Sequence, residues 1–201
     1  STIMNALTNK SQYEADELFA TLDATTKSVN LTGRFNVTLT DTVGFIQDLP
    51  TELISSFKST LEESKNVDLL VHVIDASNPN HEEHEKTVLA IMKDLDMLDI
   101  PRLTLYNKAD KAENFTPTLT PYVLISAKNE NSRTVLQNAL LNKMRELFVP
   151  FRIRVSPSKA YKLHELESLA IIDKREYLEE SEMISGYIAE KNKWRLEEFY
   201  D

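Results

Sequence analysis

Apolar and polar residues alternate with a period of two over residues 35–40 (FNVTLT), which predicts a half-buried strand. Residues 28–31 predict a second strand that pairs with it across a tight turn at Gly33. Residues 68–74 (DLLVHVI) form a near-continuous apolar run, which is typical of a strand buried on both faces. Helical spacing of apolar residues follows at 81–98. The remaining elements predicted before Pro150 are helices at 1–8, 50–65 and 132–147, and strands at 101–106 and 122–125.

Strands that alternate with helices predict an α/β fold, with a doubly wound and mostly parallel sheet covered by helices on both faces. The hairpin at 28–40 would add an antiparallel edge strand. No strand precedes the helix at 1–8, so we expect the start of the domain to be missing from the chain. Residues 9–28 are polar without a clear period and predict a long loop.

The pattern restarts after Pro150, which predicts a second, smaller domain. We therefore divide the chain into a domain at 1–149 and a β-α-β-β-α domain at 150–201. The elements predicted in the smaller domain are strands at 151–155, 169–177 and 182–190, and helices at 158–167 and 193–200.

Composition narrows the functional class. The 201 residues carry a formal net charge of −9, whereas a general nucleic-acid groove usually shows a basic excess. There is no cysteine, which suits a cytoplasmic protein and excludes thiolate chemistry in these residues. No apolar run reaches the roughly 18 residues of a membrane span, and no signal peptide is visible. We therefore expect a cytoplasmic protein.

The sequence Asn107-Lys108-Ala109-Asp110 directly follows the predicted strand at 101–106. Ligands of doubly wound sheets bind at the carboxyl ends of the strands. An aspartate at this edge can accept two hydrogen bonds, from N1–H and the exocyclic amine of guanine, a pair that adenine does not offer. Asn107 can tie neighbouring loops together, and the stem of Lys108 can lie over the base. The alternative is an exposed polar turn.

Two further motifs accompany this sequence. Ser126-Ala127-Lys128 follows the next predicted strand, where a backbone N–H could meet the guanine oxygen. Asp41-Thr42-Val43-Gly44 follows the strand at 35–40, where an aspartate can hold Mg²⁺ and a glycine lets the backbone approach a γ-phosphate. Alone, each motif is also compatible with an ordinary turn.

The order of these motifs resembles that of the P-loop GTPases. That resemblance implies a P-loop serine or threonine about forty residues before Asp41, which is the position of Ser1, with Thr2 beside it at the nucleotide. It also implies that the residues before Ser1 would read G-x-x-x-x-G-K. The chain itself has no glycine-rich phosphate loop, since its only glycines are Gly33, Gly44 and Gly186.

Longer stretches resemble one group of these GTPases. Residues 18–26 (LFATLDATT) and 41–50 (DTVGFIQDLP) are similar to the switch I and switch II signatures of HflX, a ribosome-binding GTPase of the Obg–HflX group. The resemblance covers residues 1 to about 147, and the small C-terminal unit resembles the ferredoxin-like half-domain of that family. The first strand, the Gly-Lys of the P-loop and the family's N-terminal domain have no counterpart in this sequence.

The resemblance implies a role for single residues toward Mg²⁺ and GTP or GDP. Ser1 and Thr21 would be the Mg²⁺ ligands, Thr21 only in the GTP state, with Thr25 or Thr26 as the alternative ligand from switch I. Asp41 would hold the ion through water.

The resemblance also implies an incomplete catalytic set. Gly44 would donate its N–H to the γ-phosphate, but Phe45 stands where many GTPases carry the glutamine that orients the attacking water. The resemblance thus implies a slow enzyme that a partner accelerates. Gln47 as a substitute, and a K⁺ ion in place of an arginine finger, are the alternatives.

Three functions follow as expectations. The first is a GTPase that binds GTP and the 50S ribosomal subunit and splits or rescues ribosomes under stress, as a monomer in the cytoplasm with transient membrane association as an option. The second is a regulatory module that recruits a protein partner in its GTP state. The third is a nucleotide-free structural fragment.

Histidines elsewhere in the chain favour structural roles. The stretch His81-Glu82-Glu83-His84 predicts a solvated helix start more readily than a metal site, because no third or fourth ligand is evident. His72, inside the apolar run, is expected to be a core histidine with satisfied hydrogen bonds.

Overall fold

The computed structural model of the chain describes residues 2–8, 25–41, 64–113 and 115–200. The helices are α1 (Thr2–Thr8), α2 (His81–Asp94), α3 (Ser132–Leu147) and α4 (Leu163–Leu169). The strands before α3 are β1 (Thr25–Thr32), β2 (Phe35–Asp41), β3 (Leu70–Asp75), β4 (Arg102–Asn107) and β5 (Tyr122–Leu124). Those after it are β6 (Val149–Val155), β7 (Ala170–Leu178) and β8 (Ser181–Ile188). The helix predicted at 50–65 and most of the loop predicted at 9–28 lie outside the described residues.

The chain divides into two compact units. The first contains Ser1–Lys27 and Leu39–Leu136, and the second contains Ser28–Thr38 and Gln137–Asp201. The tip of the β1–β2 hairpin and most of α3 thus group with the C-terminal residues. The predicted domain division at residue 149 stays a prediction.

The first unit contains a parallel three-stranded sheet in the order β3-β4-β5. The central strand is buried from Leu103 to Asn107, as its apolar side chains require. Its register places Asp75 beside Asn107 and Tyr106 beside Leu124. The carboxyl ends of all three strands therefore lie at one edge of the sheet.

Helix α2 ends before the predicted position at residue 98. The chain turns at Asp96, whose φ of 55° is left-handed, and the N–H of Met97 donates to the carbonyl of Met92 at 2.8 Å. This turn buries Met97 completely beside Met92 and Leu95. Burial of this side chain therefore takes precedence over continuation of the helix.

The second unit contains an antiparallel sheet in the order β6-β8-β7. Its central strand passes β7 closely at Gly186, where an added Cβ would stand 2.0 Å from the carbonyl oxygen of Ile171. The helix predicted at 158–167 is a 3₁₀ helix at Pro157–Lys162, which α4 follows directly. The helix predicted at 193–200 is a 3₁₀ helix at Glu190–Phe199. One buried hydrophobic cluster of this unit contains Phe151, Ile153, Val155, Leu163, Leu166, Ala170, Ile184, Ile188, Leu196 and Phe199.

Within the described ranges, no helix combines the length and the apolar content that crossing a bilayer demands.

Candidate nucleotide-binding site

The loops that follow β3, β4 and β5 meet at the carboxyl edge of the parallel sheet. The N–H of Ala76, after β3, donates to the carbonyl of Asn107 at 2.8 Å. The N–H of Ile125, after β5, donates to the carbonyl of Tyr106 at 2.9 Å. The edge is thus a connected set of loops at the position where ligands of such sheets bind.

Asn107 joins two of these loops through its side chain. It is 8% exposed, and its Oδ1 accepts a hydrogen bond from the N–H of Ala127 at 2.9 Å. The carbonyl of Ala127 in turn accepts from the buried hydroxyl of Ser132 at 3.0 Å. A buried side-chain hydrogen bond of this kind fixes one loop against the other. The Oδ1 atom of Asn107 therefore makes a structural contact that joins the two loops at this edge.

Asp110 lies in a short 3₁₀ turn at Ala109–Lys111, and Ser126 fixes it there. The N–H of Asp110 donates to Ser126 Oγ at 3.1 Å, and the N–H of Ala109 donates to the carbonyl of Ile125 at 3.1 Å. A hydrogen bond from the Ser126 side chain holds the pKa of the exposed Asp110 carboxyl below its usual value. The site thus presents an ionised carboxylate, which only accepts hydrogen bonds, at a fixed place on the sheet edge.

Lys108 reaches from the end of β4 to the end of β3. Its Nζ donates to Asp75 Oδ2 at 2.6 Å. Asp75 Oδ1 accepts from the N–H and the hydroxyl of Ser77 at 3.0 Å and 2.6 Å. Partial burial raises the pKa of Asp75, but the hydrogen bonds from Lys108 and Ser77 outweigh it, and the net pKa is lowered. The sequence analysis did not predict this bond between Asp75 and Lys108.

The other predicted site residues are placed as follows. Thr2 begins α1, Asp41 ends β2, and Lys128 is exposed in the turn after β5. Ser1, Thr21, Gly44, Phe45 and Gln47 lie outside the described residues. The structure therefore brings together the predicted base-binding residues, while the predicted roles toward Mg²⁺ and the phosphates stay predictions.

The histidine-rich start of α2 differs from its prediction. Glu82 and Glu83 are exposed, but His81 is mostly buried, and its Nδ1 lies 3.1 Å from Oε1 of Glu85. Glu85 is only 3% exposed, and its other carboxylate oxygen accepts from the Thr118 hydroxyl. The helix start is thus a partly buried polar network, because the loop after Asp110 folds back over it.

His72 also differs from its prediction. Its Nδ1 is buried without a hydrogen-bond partner among the residues that the structure describes. Burial, together with the charge of Arg102, lowers the pKa of His72 to about 4. His72 is therefore neutral at pH 7, but its Nδ1 lacks the hydrogen bond to the described residues that the prediction implies.

Comparison with known families agrees with this geometry. The sequence model of the family described as "50S ribosome-binding GTPase" matches residues 1–108, which is more than half of the chain. The matched segment contains α1, β1 to β4 and the first two residues of the Asn107 motif.

Curated relatives carry the name GTPase HflX. The relative from Alkalihalophilus pseudofirmus is 41% identical over 194 residues, which are 94% of this chain and 46% of that protein. The relative from Caldanaerobacter subterraneus is 45% identical over 74% of this chain and 34% of that protein. The Escherichia coli relative is 33% identical over 92% and 45%, respectively. The chain thus spans about half the length, or less, of the curated relatives it matches.

A solved structure supports the fold. A GTP-binding protein from Sulfolobus solfataricus, determined in complex with GDP, matches 71% of this chain and 47% of its own with a TM-score of 0.54. The sequence identity is 23%, so the likeness concerns the fold alone. The predicted α/β class with a parallel sheet is confirmed.

Proposed function

The chain belongs to the 50S ribosome-binding GTPase family as a member of the HflX type, and from this premise we propose that it binds and hydrolyses GTP. The observation that carries the proposal is the sheet edge, where Asn107 fixes the Ala127 loop and Ser126 fixes Asp110. An ionised carboxylate held there has the acceptors that match the N1–H and amine of guanine. Adenine offers no such pair of donors, so this site would select GTP.

The described residues would act on the base and not on the phosphates. Asp110 accepts from guanine, the loop of Ala127 places backbone N–H groups near it, and Lys108 lines the edge on the side of β3. When bound, Mg²⁺ would neutralise the phosphate charge during hydrolysis. Asp41, half-buried at the end of β2, has a carboxylate, which is the kind of oxygen group that Mg²⁺ prefers. Ser1 and Thr21 would supply the other protein oxygens to the ion.

The proposal also covers the partner of the GTPase reaction and the compartment in which it takes place. The complete gene product would act on the 50S subunit as a cytoplasmic monomer and split or rescue ribosomes under stress. Phe45 in place of the usual glutamine supports acceleration by the ribosome, with K⁺ as a further electrostatic aid. Release of the switch segments after hydrolysis would end the interaction.

Substitution of Asp110 tests the base site. In the complete gene product, Asp110→Asn replaces one acceptor by an amide donor, so GTP affinity is expected to fall about tenfold or more while xanthine nucleotides gain. Competition of GTP and XTP against a fluorescent GDP measures both affinities. Glu113→Gln, an exposed change in the same loop, serves as the control and should bind like the wild type. Unchanged GTP affinity in Asp110→Asn would contradict the assignment.

A further inference from the structure

Lys108 has an unusual backbone for a residue with a side chain. Its φ of 60° and ψ of 32° lie in the left-handed region, which residues other than glycine adopt rarely. The turn that follows begins at this residue, since the N–H of Lys111 donates to the carbonyl of Lys108 at 2.9 Å. Such conformations persist where the surroundings fix them, and they concentrate at functional sites. The direction in which the Lys108 side chain leaves the backbone is therefore set by this left-handed conformation.

The far end of the same side chain is fixed as well. Asp75 is the last residue of β3 and stands beside Asn107 in the parallel register. One of its carboxylate oxygens accepts both bonds from Ser77, which orients the carboxylate independently of Lys108. The other oxygen accepts from Lys108 Nζ at 2.6 Å. Two charged groups at a sheet edge, one of them anchored by its own loop, differ from an ordinary pair of mobile surface ions.

We propose that Asp75 positions the Lys108 side chain for guanine-nucleotide binding, an inference that rests on the proposed function. Asp75 holds the ammonium at the end of β3, so the methylene stem of Lys108 stays extended along the carboxyl edge. A lysine held in this way presents an apolar stem to a bound base and keeps its charge at the rim. Without Asp75, the side chain has to be ordered when the nucleotide binds, and that loss of freedom lowers affinity.

The expected effect is on binding and not on the chemical step. Asp75 does not touch the reacting phosphates in this proposal, so its loss removes an interaction that substrate and transition state share. KM for GTP is expected to rise while kcat stays constant. The dissociation constant for GDP is expected to rise about three- to tenfold in Asp75→Asn, a modest change because both groups are partly exposed.

A double-mutant cycle in the complete gene product tests the positioning role. The variants are Asp75→Asn, Lys108→Ala and the combination, and a fluorescent GDP titration measures their affinity. Because Asp75 acts through Lys108, the double variant should bind no more weakly than Lys108→Ala alone. Asp99→Asn removes an exposed carboxylate from the turn before β4 and provides the matched charge control. Losses that add in the double variant overturn the proposal, as does wild-type affinity in Asp75→Asn.

A second readout does not depend on nucleotide. The ¹⁵Nζ signal of the Lys108 ammonium, observed at low temperature, should be present in the wild type and lost in Asp75→Asn. If Asp75→Asn does not fold, Ser77→Ala takes its place, since it removes one anchor of the carboxylate and leaves the ion pair. Ser77→Ala is expected to lower GDP affinity when Lys108 is present and to have no effect on it in a Lys108→Ala background. A loss of affinity that persists without Lys108 overturns the proposal.

The outcomes separate this inference from the function on which it rests. A wild-type protein that binds no guanine nucleotide overturns both. A wild-type protein that binds GDP, together with an Asp75→Asn variant of equal affinity, overturns the positioning role alone.

Discussion

Single side chains at the carboxyl edge of the parallel sheet divide into those that hold the loops and those left for a ligand. The Oδ1 atom of Asn107 accepts a hydrogen bond from the N–H of Ala127, and Ser126 contacts Asp110. The Asp110 carboxyl remains exposed and ionised. A rigid support for one open acceptor group is what selective recognition requires, because a mobile carboxylate would lose entropy on binding.

His72 shows the opposite situation, since its buried Nδ1 has no hydrogen-bond partner among the described residues. It lies on β3, and its pKa falls to about 4 because burial and Arg102 both disfavour the protonated form. In the unfolded chain the pKa returns to about 6.5. The unfolded state therefore binds more protons between these values, and stability should be lost as the pH falls through the window from 6.5 to 4.

Urea unfolding at pH 7 and pH 5 tests this linkage. The wild type is expected to lose about 2 kcal/mol more than His72→Gln between the two pH values, since glutamine does not titrate. Other titrating groups contribute equally to both proteins and cancel in the difference. His164→Gln, an exposed histidine of α4, is the control and should follow the wild type. Parallel pH profiles of His72→Gln and the wild type would contradict the low pKa.

Among the elements, the tip of the β1–β2 hairpin is held by a carboxylate from α4. Glu167 accepts from Arg34 of the tip at 3.2 Å and also bonds Arg175 of β7. The Glu167 side chain is 13% exposed, whereas that of Arg34 is 54% exposed, so this pair is only partly shielded from solvent. Arg175 also reaches Glu182 of β8 at 3.1 Å. The hairpin tip, α4 and two strands therefore share one ion-pair network within the second unit.

Glu167→Gln is expected to destabilise the second unit by about 1 kcal/mol, because two arginines lose their shared negative partner while Arg34 stays largely solvated. Urea unfolding followed by tryptophan fluorescence measures the change, since Trp194 lies in the same unit. Glu180→Gln, in the exposed turn between β7 and β8, removes the same charge without a network and should have little effect. Equal stability of the two variants would show that the network contributes nothing.

The spacing of apolar residues predicts helices and strands whose boundaries do not depend on distant parts of the chain. Residues 132–147 were expected to be helical and form α3 over the same residues, because their apolar spacing agrees with their burial. The end of α2 was missed, since the gain from burying Met97 is a tertiary effect. A helix of unspecified kind is predicted at 193–200, and the structure has a 3₁₀ helix at Glu190–Phe199. The spacing of a few apolar residues does not distinguish these geometries.

The same limit applies to the site. The link between Asn107 and the Ser126 loop could be predicted, because strand order brings both to one edge. The bond between Asp75 and Lys108 could not, because it joins residues 33 positions apart and depends on the register of β3 against β4. Likewise, the burial of Glu85 depends on the path of the loop that contains Thr118. The local sequence pattern carries no information on the Asp75–Lys108 bond or on the burial of Glu85.

For the whole molecule, all the base-site residues belong to the first unit, from Asp75 to Ser132. The chain carries a net charge of −9, so its average field repels the phosphates of ribosomal RNA. Association with a ribosomal subunit would therefore depend on local contacts or on parts of the gene product beyond these residues. The effect of a ribosomal subunit on GTP hydrolysis can be measured without knowing where these contacts lie.

GTP hydrolysis by the complete gene product should respond to the 50S subunit. The side chain of Phe45 has no polar atom with which to orient the attacking water, so under the proposed function a partner supplies the group that completes the site. We expect slow turnover alone and stimulation of about tenfold or more that saturates with rising 50S concentration. Phosphate release at fixed salt measures the rate, and 30S subunits provide the control surface of ribosomal RNA. Equal rates with both subunits would contradict a specific activating contact. Binding of 50S in the GTP state without stimulation would instead favour the regulatory module, because Phe45 then limits turnover in the complex as it does in the free protein.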